Sequence, residues 1–182
     1  NEIKPFDYYL VVGRFVPENN YETMITEFMK SNTKKDLVLI TNIEKNKFYQ
    51  YLKEKTHFNR DKRIKFVGTV YDQELLRKIR EQAYGYIHGH EVGGTNPSLL
   101  EALATTKLNL LLNVGFNKEV GEDGAIYWSK EEGSLSNTLE KVNTYERDEI
   151  NKYEAKAKNR IEKKYSWKII LDKYENVFLG KD

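Results

Sequence analysis

The sequence predicts a three-layer α/β domain, with helices on both faces of a parallel sheet of about six strands and a helical C-terminal segment. Three observations predict it. Short apolar runs recur along the chain, and most are followed by an amphipathic stretch with helical spacing. Glycine or polar residues punctuate the ends of the runs. From Leu135 to Leu179 the pattern is almost entirely helical. Strand–helix alternation of this kind implies parallel strands joined by crossover helices.

The elements follow in order. Tyr8 to Val12 reads as a buried strand closed by Gly13, and a helix follows from about Asn20 to Met29, with Met24, Ile25 and Phe28 on one face. Leu37 to Ile40 is the second strand, with a helical pattern around Lys45 to Lys55 after it. Ile64 to Gly68 is the third, and Asp72 is placed to cap a helix carrying Leu75, Leu76 and Ile79. Ala83 to His88 is the fourth, leading through a Gly-rich loop into a helix from Asn96 to Ala104. Leu108 to Leu112 and Ala125 to Trp128 complete the set. Ligands of such sheets bind at the carboxyl ends of the strands. The informative loops are therefore 13–20, 68–72, 88–96 and 113–121.

Composition narrows the function. Among 182 residues, 39% are apolar and 32% charged, with 30 Lys plus Arg against 28 Asp plus Glu and a formal charge of +2. The two signs are mixed along the chain, whereas nucleic-acid binders cluster their basic residues. The absence of Cys excludes disulfides and thiolate metal sites and suits a cytoplasmic protein. No apolar run approaches the ~20 residues of a membrane span. The chain opens at Asn1 without a Met or a signal-peptide pattern, so the expectation is one domain, residues 1–182, of a longer protein.

Two segments carry chemistry. In Glu91 to Glu101, Asn96 is a good N-cap and Pro97 fits the first turn. Gly93 and Gly94 let the backbone approach a ligand, and a helix N-terminus presents N–H groups and partial positive charge to a phosphate. Glu101, just over one turn along, suits sugar hydroxyls. A plain loop with a capped helix has the same spacing. In Gly13 to Asn20, Gly13 permits a tight turn and Arg14 offers a fork matching phosphate oxygens. A surface Arg14 paired with Glu18 is the alternative.

Together, the runs Val12–Thr23 and Gly93–Ala102, with a late Ser166–Trp167 helix, resemble the C-terminal domain of family-4 glycosyltransferases. These are two-Rossmann-domain enzymes, and the match is to their bacterial rhamnosyltransferase branch, which builds cell-surface polysaccharides. The likeness runs from Tyr8 to Phe178 and includes Phe66–Gly68 and Asn117–Val120. It implies a Rossmann-like fold, with a 166–179 helix packing toward the other domain. Arg14, beside Gly13, would bind the donor diphosphate and Glu101 the nucleoside sugar. The Val67–Gly68 turn would lie against the base, and backbone N–H groups of Gly93, Gly94, Thr95 and Asn96 would face the diphosphate or sugar.

Two positions depart from the family pattern. Asn19 stands where a Lys usually follows the Arg, and Glu91 and Glu101 are separated by nine residues rather than seven. Either the loop is longer and Glu91 still reaches the sugar, or the family's first carboxylate is missing here. His88 and His90, on one strand face beside Glu91, also admit a metal reading. The family implies instead that His88 or His90, His90 foremost, lies beside the donor and contacts its sugar. No Asp-x-Asp pair for a divalent cation occurs, in line with a family that works without metal.

The resemblance implies a retaining, metal-independent glycosyltransferase with no cofactor beyond its substrate, a dTDP- or UDP-linked sugar, specifically dTDP-rhamnose. The glycan or lipid-linked acceptor would be held by the other domain at the inner face of the membrane, where the full-length protein would associate peripherally. Half of a nucleotide-sugar epimerase and a non-enzymatic flavodoxin-like domain are the rival readings.

Overall fold

The computed structural model describes residues 3–92 and 96–165. Its sheet has six strands: β1 (Tyr8–Val12), β2 (Asp36–Ile40), β3 (Ile64–Phe66), β4 (Gly85–His88), β5 (Asn109–Leu112) and β6 (Ile126–Trp128). Every pairing is parallel, in the order β3-β2-β1-β4-β5-β6. This is the dinucleotide-fold order and not the flavodoxin order, so the flavodoxin-like alternative falls. Chain direction across the sheet reverses between β1 and β4, and a crevice opens there at the carboxyl ends.

Side-chain alternation explains why the strands are continuous apolar runs. Tyr9 and Val11 of β1 join Leu37 and Leu39 of β2 in one cluster with Phe28, Leu52 and Leu139. Their alternates Tyr8, Leu10, Val38 and Ile40 pack on the other face with Leu76, Tyr86 and Ala102. Helices α1 (Tyr21–Lys30), α2 (Lys47–Thr56) and α6 (Ser134–Val142) contribute to the first face, and α3 (Gln73–Glu81) and α4 (Pro97–Thr105) to the second. A third cluster joins α4 to α5 (Gly115–Gly121) and α7 (Arg147–Lys164) through Leu103, Val120 and Ala157. Each fully buried Leu contributes about 1.5–3 kcal/mol.

Most expected elements form within two residues of their predicted limits, and the differences have local causes. Strand β3 stops at Phe66 because Gly68 takes φ +77°, although Val67 N–H still bonds the Leu39 carbonyl. Strand β4 starts at Gly85 instead of Ala83. Residues 113–121, expected as a loop, contain α5, whose glycines at both ends hide it from propensity. The C-terminal helical stretch is broken after α6 and restarts at α7 through a capping box between Glu146 and Glu149. The expected 166–179 helix, with Trp167, lies outside the described residues.

Candidate functional site

A cleft of about 290 Å³ opens at the β1–β4 switch point, lined by Gly13, Arg14, Asn19, His88, His90 and Asn96 among others. Arg14 and the start of α4 therefore share one cavity on one side of the sheet. The β1 loop owes its shape to side-chain amides. Asn19 Nδ2 donates to the Arg14 carbonyl at 2.8 Å, and Asn20 Nδ2 donates to the Gly89 carbonyl at 2.7 Å. Asn20 takes φ 57°, turning the chain directly into α1. Asn19 thus holds the loop at the position where the family pattern has a cation.

The glycine that close approach requires is Gly89. A Cβ there would lie 2.4 Å from the Asn19 carbonyl oxygen, whereas at Gly13 the nearest atom would be 3.5 Å away. Gly13 has no positive φ either, so the bend of the chain there does not demand glycine. Arg14 itself is exposed, and no ion pair among the described residues involves it, the alternative with Glu18 included.

Across the cleft, Asn96 caps α4 by accepting from Ser98 N at 2.9 Å and Leu99 N at 3.3 Å. Pro97 has no N–H. The donors of the first turn expected for a phosphate are therefore committed, leaving the helix its dipole. Gly93, Gly94 and Thr95 lie outside the described residues.

His90 lies between the two sides. Asn19 has its Nδ2 on the Arg14 carbonyl, so its Oδ1 accepts from His90 Nδ1 at 2.7 Å. Neutral His90 then carries its proton on Nδ1 and offers Nε2 as an acceptor. Asn117 of α5, fully buried, donates to the His90 carbonyl at 3.1 Å and to the Leu112 carbonyl at 3.0 Å.

The remaining candidates are not brought into the cleft. Glu91 pairs with Lys130 at 2.7 Å, and that contact holds its carboxyl below the usual range. Lys130 lines a second groove of about 440 Å³ beside α1, which shares no lining residue with the cleft. Glu101 pairs at 2.6 Å with Arg80 of α3, whose guanidinium is buried. Val67 and Gly68 sit beyond β3, two strands from β1 along the same carboxyl edge. For the metal reading, His88 Nδ1 faces the Tyr86 hydroxyl, His90 Nδ1 faces Asn19 and Glu91 faces Lys130. No group of three or more His, Asp and Glu among the described residues is placed to hold a metal ion.

A family model for glycosyl transferases group 1 matches residues 1–165. The chain belongs to that family. No curated protein sequence matches it. Among solved structures it is similar to a glycosyltransferase from Rickettsia africae, with a TM-score of 0.82 and 15% identity over 98% of this chain and 48% of that one. It is similar to Anabaena HepE in complex with UDP, with a TM-score of 0.79 and 13% identity over 96% and 49%. The C-terminal domain of the group 1 protein LpcC from Francisella tularensis gives a TM-score of 0.71 and 16% identity over 90% and 89%. The chain thus spans about half the length of the first two. No helix among the described residues is long and apolar enough to cross a membrane.

This group 1 domain also uses residues that sequence reasoning passed over: Arg80, Tyr86, Gly89 and Ser98. Arg80 donates to Ser98 Oγ at 3.3 Å, and Ser98 Oγ meets the Tyr86 hydroxyl at 3.2 Å. Ser98 and Gly89 stood within motifs already read. Arg80 carried no signal, because its pairing with Glu101 depends on α3 packing against α4.

Proposed function

We propose that this chain is the donor-binding domain of a retaining, metal-independent glycosyltransferase acting on a nucleotide sugar. The observation that supports it most is the shared cleft: an Arg14 guanidinium without an ion-pair partner among the described residues and the Asn96-capped start of α4 line it together at a sheet switch point. Negative charge builds on the diphosphate as the bond between it and the anomeric carbon of the sugar breaks, the electron pair leaving with the phosphate oxygen. Donors already in place for that charge lower the barrier. Arg14 supplies a charged fork and α4 its dipole. Asn19 and Asn20 keep the Arg14 loop against β4. The acceptor, a glycan or lipid-linked sugar, would be held by the rest of a longer protein at the inner membrane face. The likeness to the LpcC C-terminal domain supports that division.

The motif resemblance favours dTDP-rhamnose as donor and surface polysaccharide synthesis as the setting. The UDP bound in the Anabaena relative favours a second reading, a UDP-linked donor. Calorimetry with dTDP, UDP and GDP separates them. Tightest binding of dTDP is expected; preference for UDP or GDP overturns the rhamnose assignment, and binding of none overturns the donor-binding role.

A further inference from the structure

Among the described residues that line the cleft, His88 is the one whose side chain carries a buried polar atom with no partner. The residue is 4% exposed and lines the cleft, and its Nε2 is buried without a partner among the described residues. The other end is held. Nδ1 lies 3.3 Å from the Tyr86 hydroxyl, which Ser98 links onward to the buried Arg80 and its partner Glu101. The ring is fixed from behind by that chain, and Nε2 is the end left over.

Burial, reinforced by the neighbouring His90, pushes the pKa of His88 down to about 3, so the ring is neutral. A neutral imidazole offers one N–H and one lone pair, so Nε2 donates in one tautomer and accepts in the other. Phosphate oxygens only accept and are better matched by the Arg14 fork. A sugar hydroxyl both donates and accepts, and therefore satisfies either tautomer.

We propose that His88 reads the sugar of the donor, its Nε2 hydrogen-bonding one hydroxyl of that sugar, a role that rests on the donor-binding reading above. Charge at Arg14 then serves the diphosphate, and a neutral imidazole serves the sugar. Tyr86, Ser98 and Arg80 act through His88 as positioning residues.

The test compares nucleoside diphosphate with nucleotide sugar on the full chain, by calorimetry with dTDP and dTDP-rhamnose and with UDP and UDP-glucose. His88→Phe keeps a ring and removes both nitrogens, while His88→Gln keeps an amide of similar reach. For His88→Phe, nucleotide-sugar affinity should fall roughly 3- to 10-fold, the worth of one neutral hydrogen bond, with nucleoside diphosphate affinity unchanged. His88→Gln should recover part of the loss. An equal loss for both ligand types, or no loss for either, overturns the proposal. A parent chain that binds neither ligand overturns the donor-binding reading itself. The ¹⁵N resonance of His88 Nε2 in the parent chain needs no variant. It should move with the nucleotide sugar and not with the nucleoside diphosphate, and an identical response to both contradicts the assignment.

Discussion

The loop after β1 and the start of α4 meet at one cleft and are built in opposite ways. The loop is strapped to β4 by the Asn19 and Asn20 amides, and its guanidinium at Arg14 has no ion-pair partner among the described residues. Helix α4 spends its first free N–H groups on the Asn96 cap and its acid, Glu101, on Arg80. Similar motif strength in sequence thus corresponds to different physical roles. In the proposed role the loop brings net charge for a diphosphate, and the helix brings a rigid wall with a weaker dipole.

Breaking the helix side tests its structural role first. Arg80→Ala removes the partner of Glu101 and the anchor of Ser98. Loss of a buried ion-pair partner costs about 3–5 kcal/mol, and Glu101 is a third exposed, so about 2–3 kcal/mol should appear in denaturant unfolding. A change under 0.5 kcal/mol would mean that the Arg80 chain holds nothing.

Gly89→Ala breaks the loop side. Its new Cβ would press the Asn19 carbonyl oxygen, and overpacking costs about 1–3 kcal/mol. Nucleoside diphosphate affinity should fall as well, because the Arg14 loop is pushed off β4. Unaltered affinity in a folded Gly89→Ala chain would show that the strap does not set the site.

His88 sharpens the contrast through pH. The unfolded chain takes up a proton near pH ~6.5 that the folded ring refuses until about 3. The parent should therefore lose stability relative to His88→Phe as pH falls through that window, by up to about 1.4 kcal/mol per pH unit. Parallel pH–stability curves would place a protonated ring in the fold.

Asn96→Ala has the smallest expected effect. Loss of the cap should cost about 1 kcal/mol of stability. Diphosphate affinity should stay at or above the parent value, since the Ser98 N–H group is released. A fall in affinity at constant fold would assign Asn96 a direct contact.

Much of the fold could be read from the chain because β1 and β2 are apolar on both faces and glycine or polar residues mark their ends. Helix α5 escaped because it is short and bounded by Gly115 and Gly121. Within the site, Arg14, Asn19, His90 and Asn96 were legible, since loop position after a strand decides their placement. Glu91 and Glu101 were legible as acids but not in their partners: Lys130 and Arg80 reach them from other elements. Which glycine is indispensable was also hidden. Gly13 and Gly89 both follow strands, and only the packing of α1 against β4 leaves Gly89 without room for a Cβ.

Calorimetric titration of Arg14→Ala with the nucleoside diphosphate that the parent binds best is the most direct measurement. A loss of about 1.5–3 kcal/mol in binding, the worth of charged hydrogen bonds, with unchanged unfolding stability is the expected result. Affinity equal to the parent's would remove Arg14 from the site and contradict the assignment of the cleft to a diphosphate.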